Sequence, residues 1–177
     1  MDYFQDQIKF VNALPDKLRL AVNVRIIPWE WGWDQKKRWE DAIPGVRIDE
    51  GFNSINKLIR TSRLFISTYN ATTFLESFTM NVPTVIFWDP LKWELRDTAI
   101  PFFEELKRVN IFHETPESAA SHVAAIWDNV NYWWESKEVR DILHRFKNEY
   151  SNLSNDLIPN IEVALRDTIQ GEILNIK

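Results

Sequence analysis

Residues 64–88 read LFISTYNATTFLESFTMNVPTVIFW, and this stretch decides the fold. An uninterrupted apolar run lies at each end, at 64–67 and 84–88. The segment between them, 73–80, has apolar residues at helical spacing, Phe74, Leu75 and Phe78. Apolar runs without alternation, separated by a helix, are typical of parallel strands that are covered on both faces. The stretch therefore predicts a strand–helix–strand unit with a right-handed crossover.

The same alternation continues on either side of this unit. Upstream, we expect a helix at 8–14, a strand at 18–27, a short helix at 36–42, a strand at 46–48 and a helix at 54–60. Downstream, we expect helices at 98–108, 116–130, 139–150 and 160–169 and a short strand at 111–112. The sequence therefore predicts a three-layer, Rossmann-like α/β fold with a mostly parallel sheet, as a single domain over residues 1–177.

Composition excludes several classes of function. The 177 residues include no Cys, which rules out disulfides, thiolate metal sites and cysteine nucleophiles. A formal net charge of -5 argues against nucleic acid as a partner, because binding phosphate backbones requires an excess of Lys and Arg. We find no metal-ligand spacing, Walker-type loop or serine nucleophile elbow. With no signal sequence and no apolar run long enough to span a bilayer, we expect a cytoplasmic location, with attachment to the inner membrane face left open.

The segment at 66–76, ISTYNATTFLE, is the main candidate for a ligand site. Ligands of open parallel sheets bind beyond the C-terminal strand ends, where the next helix offers unpaired N–H groups to an anion. The polar residues at this position are Ser67, Thr68, Asn70, Thr72 and Thr73. A diphosphate would suit them. The structural alternative is a capping box, in which Thr73 and Glu76 satisfy the helix start without a ligand, and the residues alone slightly favour it.

The same segment resembles the donor-site motif of GT-B glycosyltransferases. NATTFLE at 70–76, followed by PTVI at 83–86, is similar above all to the enzymes that add N-acetylglucosamine in peptidoglycan synthesis. Their pattern is Gly-Ala-x-Thr-x-x-Glu, then Pro and a strand. The positions that match it are Ala71, Thr73, Glu76 and Pro83. Asn70 and Asn81 stand where that family usually has Gly.

The resemblance implies a role for the chain as the C-terminal, donor-binding half of such an enzyme. Thr72, Thr73 and the helix N-terminus would hold the diphosphate of a nucleotide-sugar, and Glu76 would accept hydrogen bonds from the ribose hydroxyls. No metal cofactor is implied at the phosphates. The acceptor site and the catalytic base would come from an N-terminal Rossmann-like domain or subunit, which we do not find in this chain. We assign no catalytic residue.

Four further stretches extend the resemblance over residues 20–150. RIIP at 25–28 resembles the Arg-x-x-Pro of surface-polysaccharide and glycerol-phosphate transferases. FWDP at 87–90, ELRD at 94–97 and the Trp133–Trp134 pair resemble a less characterised group of transferases from bacterial surface-polysaccharide gene clusters. We expect Arg25 either to neutralise a phosphate or to form a solvated ion pair. Asp89, like Glu94, Arg96 and Asp97, would lie near the donor sugar or simply be a solvated loop residue.

Aromatic residues and histidines are less decisive. Trp29, Trp31 and Trp33 alternate and would share one face of an extended segment. That face could stack on a sugar or base, although packing on the protein or on a partner domain is the preferred interpretation. Among the histidines, only His113 is expected near the ligand-binding edge, and the other two are expected on helices, His122 and His144.

The function we expect is donor binding in a glycosyltransferase or related transferase of cell-surface polysaccharide synthesis. Two other classes stay open. One is a sugar-nucleotide epimerase or hydrolase on the same scaffold. The other is a non-catalytic module that binds a nucleotide or a protein through its Trp-rich surface.

Overall fold

The computed structural model of the chain describes residues 2–29, 32–151 and 157–175. Helices and short strands alternate along it. The helices are α1 (Asp2–Ala13), α2 (Asp16–Arg19), α3 (Gln35–Ala42), α4 (Ile55–Thr61), α5 (Thr73–Thr79), α6 (Ile100–Arg108), α7 (Pro116–Ile126), α8 (Val130–Trp134), α9 (Lys137–Tyr150) and α10 (Leu157–Asn175). The strands are β1 (Asn23–Arg25), β2 (Arg47–Asp49), β3 (Phe65–Ser67), β4 (Thr84–Phe87) and β5 (Phe112–His113).

The strands form two parallel sheets. In the first, β1 pairs with β2, and Arg25 lies opposite Asp49. In the second, β4 lies between β3 and β5, and all four of its residues are buried. A central strand covered on both faces explains why 84–88 is an uninterrupted apolar run. The predicted three-layer, Rossmann-like α/β fold is confirmed.

Strand β4 also divides the core. Its successive side chains point to opposite faces of the sheet, so Ile86 enters one apolar cluster while Val85 and Phe87 enter the other. The first cluster contains the inward faces of α5, α6, α8 and α9. The second contains those of α1 and α7, together with partly buried apolar residues of β1, β2 and β3. Both sheets therefore pack against the second cluster.

The structure corrects two predicted elements. The strand predicted at 18–27 is wrong in its first half, where Asp16–Arg19 is a helical turn and only Asn23–Arg25 is extended. Pro15 favours a helical turn directly after it, and this turn buries Leu18 while Leu20 stays 80% exposed. The helix predicted at 116–130 breaks into α7, a 3₁₀ turn at Trp127–Asn129 and α8.

Helix α10 is the longest helix of the described residues. Its described side chains, at 158–168, are exposed. In the part of the chain that the structure describes, we find no helix whose length and hydropathy would let it cross a bilayer.

Candidate functional site

The candidate site lies at one edge of the β3–β4–β5 sheet. Because these strands are parallel, the segments that follow them begin at the same edge. Residues 68–72 lead from β3 into α5, and residues 88–99 lead from β4 to α6. Every predicted site residue except Arg25 lies in or beside these two segments.

The start of α5 has polar side chains that the chain itself does not use. Thr72 is the N-cap residue, with φ -66° and ψ -21°, and its side chain makes no capping hydrogen bond. Within the described ranges, we find no hydrogen bond from the side chains of Asn70, Thr72, Thr73 or Glu76. Thr72 and Glu76 are exposed, and Thr73 is half-buried.

The predicted capping box is therefore wrong in its geometry. A capping residue normally has an extended backbone, which turns its oxygen back towards the amides of the first turn. Thr72 already has helical φ and ψ, and the helix begins at Thr73, so neither hydroxyl closes the box with Glu76. These groups remain able to bond a ligand.

The two Asn residues that replace Gly in the GT-B pattern differ in backbone. Asn81, just after α5, has φ +55°, a left-handed conformation that Gly adopts freely and Asn tolerates. Asn70 is not among the positive-φ residues of the described chain. The backbone at position 70 therefore does not require Gly. The backbone at position 81 has a conformation that favours Gly, and Asn is tolerated there because its short polar side chain can form local hydrogen bonds.

Ser67 and Thr68 are engaged within the protein. Ser67 is 4% exposed, and its hydroxyl donates to the carbonyl of Tyr69 over 3.4 Å. The Thr68 hydroxyl lies 2.9 Å from the Tyr3 hydroxyl and 2.9 Å from Nε2 of Gln7, which donates to it. These contacts join α1 to the end of β3. Both residues therefore position the site, and their role as direct donor contacts stays a prediction.

The phenol of Tyr3 keeps its proton in this contact. Desolvation raises the pKa of Tyr3 to about 12, although part of its ring remains exposed. Gln7 donates to the Tyr3 oxygen over 2.9 Å, so the Tyr3 hydroxyl can in turn donate to Thr68. No sequence signal indicated that α1 would lie at this edge.

A rim of aromatic and charged residues continues from this contact. The ring centroids of Tyr3 and Tyr69 are 5.6 Å apart, and those of Tyr69 and Trp93 are 5.8 Å apart. Asp89 accepts the amide of Leu91 over 3.0 Å, and its carboxylate lies 3.7 Å from Nζ of Lys92. Asp89 therefore shapes the turn after β4. Its proposed contact with the donor stays a prediction.

The other polar residues of this segment reach solvent. Glu94, Arg96 and Asp97 are exposed, and we find no side-chain hydrogen bond or ion pair for them among the described residues. The interpretation as donor-sugar contacts and the interpretation as solvated loop residues both stay open for these three.

Arg25 lies at the end of the other sheet. Its Nη1 donates to Oδ2 of Asp49 over 2.6 Å, and its Nη2 donates to the carbonyl of Gly51 over 2.9 Å. Asp49 is 7% exposed and also accepts from Asn53 over 3.0 Å. The ion pair is thus largely buried and its charge is balanced. A phosphate contact by Arg25 stays a prediction.

At Gly51, the segment that follows β2 passes very close to the segment that follows β1. Gly51 has φ +86°, and a Cβ there would lie 2.6 Å from the carbonyl oxygen of Ile26 and 2.7 Å from Cδ of Pro28. Beside this turn is a cavity of about 430 Å³. Its lining residues are Asn23, Ile48, Asp49, Glu50, Phe52, Asn53 and Leu58. The start of α5 does not line this cavity, and two of its polar residues, Thr72 and Glu76, are exposed.

The tryptophans after β1 are not buried in the chain. Trp29 is 66% exposed and Trp33 is 59% exposed, while Trp31 lies outside the described residues. The greater part of both described side chains is therefore open to solvent. Stacking on a ligand and packing on a partner domain both remain open for this surface.

His113 has a structural role rather than one at the surface. It is 5% exposed, its Nε2 lies 3.0 Å from the carbonyl of Asn110, and its Nδ1 lies 2.8 Å from the hydroxyl of Ser118. Because a carbonyl only accepts, Nε2 carries the proton and Nδ1 accepts from Ser118. Desolvation lowers the pKa of His113, so the ring is neutral at pH 7. Its ring centroid is 5.4 Å from that of His122.

In the described residues, no group of three or more metal-binding side chains lies together. The polar edge of a parallel sheet, with hydroxyls and a carboxylate at a helix start, is the kind of site at which α/β proteins bind nucleotides.

Comparison with known families gives the class of protein. Residues 1–165 match the model of a family described as LIC12162 family transferase, and the chain belongs to that family. The prediction of a transferase is confirmed at this level. The GT-B arrangement, the nucleotide-sugar donor and the role in polysaccharide synthesis stay predictions. Comparisons with curated proteins and with solved structures gave no significant match.

Proposed function

We propose that this chain binds the nucleotide-sugar donor of a glycosyl or related transfer reaction in cell-surface polysaccharide synthesis. The observation that carries the proposal is the set of unused polar side chains at the start of α5, Asn70, Thr72, Thr73 and Glu76. Polar groups that a protein does not bond internally, gathered at the C-terminal edge of a parallel sheet, are suited to a polar ligand. Membership of a transferase family supports the same proposal.

The diphosphate is bound at the first turn of α5. The amides of Thr73, Phe74 and Leu75 precede the first helical hydrogen bond, which runs from the Glu76 amide to the Thr72 carbonyl over 3.2 Å. Because α5 has only seven residues, its dipole alone is a weak attraction for an anion. The hydroxyls of Thr72 and Thr73 therefore provide a large part of the binding.

A cation balances the developing charge as the diphosphate leaves. Arg96 is suited to this role because it is exposed and has no ion pair within the described residues. Arg25 shares its charge with Asp49 and can contribute only through the net field of that pair. We therefore propose Arg96, which lies in the segment between β4 and α6 that follows the same edge of the sheet, as a better candidate for this charge than Arg25.

Glu76 recognises the sugar of the nucleoside. Its exposed carboxylate lies about one helical turn, roughly 5 Å, after Thr72 and Thr73, which separates it from the phosphate groups. A carboxylate only accepts hydrogen bonds, so it pairs with the two hydroxyls of a ribose and disfavours further anionic groups. This gives Glu76 a selectivity for nucleosides over inorganic diphosphate.

Thr72 and Glu76 are exposed in this chain, and we propose that a second α/β domain, in the same protein or in a partner, completes the donor site. That domain supplies the acceptor site and the catalytic base. Trp29 and Trp33, exposed after β1, are candidates for its contact surface. Without it, we expect donor binding in a weak range, with Kd on the order of 0.1 to 1 mM.

Calorimetry with uridine and cytidine diphosphates and their sugars tests the proposal. We expect one of them to bind, and Glu76→Gln to weaken nucleoside diphosphate binding. Binding of inorganic diphosphate should not weaken, because the substitution removes a nearby negative charge. Glu138→Gln, which removes an exposed carboxylate at the start of α9, is the matched control and should leave binding unchanged. If Glu76→Gln lowers the stability of the fold and leaves affinity unchanged, Glu76 has a structural role and the proposal fails.

A further inference from the structure

A second polar surface lies at the opposite edge of the β3–β4–β5 sheet. Arg63 lies two residues before β3, and its guanidinium donates to the carbonyl of Trp127 at the end of α7. The same guanidinium lies over the Trp127 ring, 5.0 Å from its centroid. A cavity of about 380 Å³ opens beside this contact. Its lining residues are Arg63, Asp128, Asn129, Val130, Asn131 and Tyr132.

The cavity residues have polar groups that the fold leaves unused. We find no side-chain hydrogen bond for Asp128, Asn129, Asn131 or Tyr132 within the described chain. Asn129 is the N-cap of α8, a position where Asn usually bonds the first-turn amides, but its side chain makes no capping bond. Helix capping therefore does not account for the side-chain amides of Asn129 and Asn131 at this position.

Tyr132 is the most exposed aromatic residue of this surface. It is 85% exposed, while Val130 and Trp134 on the same short helix are 2% and 1% exposed. The two buried residues fix α8 against the core and direct Tyr132 outwards. Its ring is thus held at the mouth of a polar cavity by packing that does not involve the ring itself.

We propose that this cavity is a binding site for a neutral saccharide. Amide and carboxylate groups match the paired hydroxyls of a sugar, and an exposed tyrosine ring stacks on the C–H face of a sugar ring. The positive charge of Arg63 and the negative charge of Asp128 balance, so the site does not select an anion. A single carboxylate is too few for a hard metal cation. A volume of about 380 Å³ lies at the small end of ligand cavities and fits one or two sugar residues.

The position separates this site from the proposed donor site. Arg63 precedes β3 and Ser67 ends it, so the two surfaces lie at opposite edges of one sheet. A saccharide bound beside Tyr132 is therefore away from the start of α5. Such a surface retains a long saccharide during repeated reactions, and it is independent of which nucleotide the chain binds.

Saturation-transfer NMR and calorimetry on the full chain test this site with glucose, galactose, mannose, N-acetylglucosamine and the disaccharides of each. We expect at least one of them to bind, and Tyr132→Ala and Asn131→Ala each to weaken it about 5-fold or more, as the loss of a ring contact or a hydrogen bond should. Asn56→Ala, an exposed amide on α4, is the control and should have no effect. Far-UV circular dichroism should show that all three variants fold.

Two results would overturn the proposal. One is that none of these saccharides binds the folded chain, and the other is that binding persists unchanged in both cavity variants. If inorganic diphosphate binds here and is lost in Arg63→Gln, the site is an anion site and the saccharide assignment is wrong. Binding of nucleoside diphosphates should be the same in Tyr132→Ala and in the unaltered chain, so failure here leaves the donor proposal intact.

Discussion

The two ends of α5 use their polar residues in opposite ways. At its start, the side chains of Thr72, Thr73 and Glu76 make no hydrogen bonds within the described chain. Just after its end, the Asn81 side chain accepts from the indole Nε1 of Trp134 over 3.1 Å and from the guanidinium of Arg140. Its amide nitrogen also donates to Glu135 over 3.4 Å.

The polar residue just after the end of α5 therefore serves the stability of the fold, whereas the polar residues at its start are available for binding. Asn81 connects α5 to α8 and α9, and Trp134, which it contacts, is 1% exposed in the core. Phe74 anchors the start of α5 in the core, but the polar side chains of Thr72, Thr73 and Glu76 contribute little to the fold, so these three positions are open to selection by a ligand. Substitutions at the two ends should therefore have separable effects on unfolding and on binding.

The largest expected effect is a loss of stability in Asn81→Ala. The substitution removes the acceptor of the buried Trp134 N–H. It also places Ala, which has a Cβ but no polar side chain, in the left-handed backbone conformation at φ +55°. We expect the free energy of unfolding to fall by about 2 to 4 kcal/mol, measured by urea denaturation. Asn81→Gly should lose less, because Gly adopts this backbone freely. Equal losses in both variants would show that the backbone conformation contributes nothing.

The next effect is a loss of donor affinity in Thr73→Val, which keeps the shape of the side chain and removes the hydroxyl. We expect nucleoside diphosphate binding to weaken by about 1 to 3 kcal/mol, the range for a hydrogen bond to a charged group. The free energy of unfolding should change by less than about 0.5 kcal/mol. Paired calorimetry and urea denaturation check this. A variant that unfolds more easily yet binds normally would assign Thr73 to the fold.

A smaller effect is expected at the contact that supports the start of α5. Tyr3→Phe removes the hydroxyl that lies 2.9 Å from the Thr68 hydroxyl. Gln7 still donates to Thr68, so we expect a loss of about 0.5 to 1.5 kcal/mol in unfolding free energy. Thermal or urea unfolding measures it. If Tyr3→Phe instead abolishes donor binding at unchanged stability, Tyr3 belongs to the site.

The effect that is smallest at neutral pH concerns the titration of His122 on α7. His122 packs edge to face against Trp133, with 4.8 Å between ring centroids, and its Nε2 is buried without a partner in the described chain. Desolvation, and then the nearby His113, lowers the pKa of His122 to about 4.

The sign of this effect follows from the shift. The unfolded chain takes up a proton near the usual pKa of 6.5, before the folded chain does, so stability should fall as pH drops from about 6.5 to about 4. Above that window this residue should have no effect. Urea denaturation across pH should show a shallower decline in His122→Gln than in the unaltered chain. Identical profiles in the two proteins would exclude His122 as the cause.

Much of the fold was predictable because burial leaves a pattern in the sequence. The apolar runs at 64–67 and 84–88 predicted β3 and β4, and the helical spacing between them predicted α5 to within one residue. The alternation at 18–27 predicted too long a strand, since a helical turn after Pro15 also satisfies Leu18. An alternating pattern of apolar residues alone does not distinguish a strand from a short helical turn.

The site was predictable only where its residues are close in sequence. The start of α5 could be identified as a candidate site because the end of a strand, several hydroxyl groups and the start of a helix lie within one short segment of the sequence. The contact of Tyr3 and Gln7 with Thr68 joins residues more than sixty positions apart, and the Arg25–Asp49 pair is likewise long-range. Only tertiary packing creates such contacts, and no local pattern signals them.

Amide chemical-shift mapping tests the central claim most directly. On addition of uridine or cytidine diphosphate to the isotopically labelled chain, the account predicts that the largest shifts fall on residues 70–76, with little change at Asn81. Shifts that concentrate at the cavity beside Tyr132, or on residues 50–53 next to Asp49, with residues 70–76 unmoved, would contradict it.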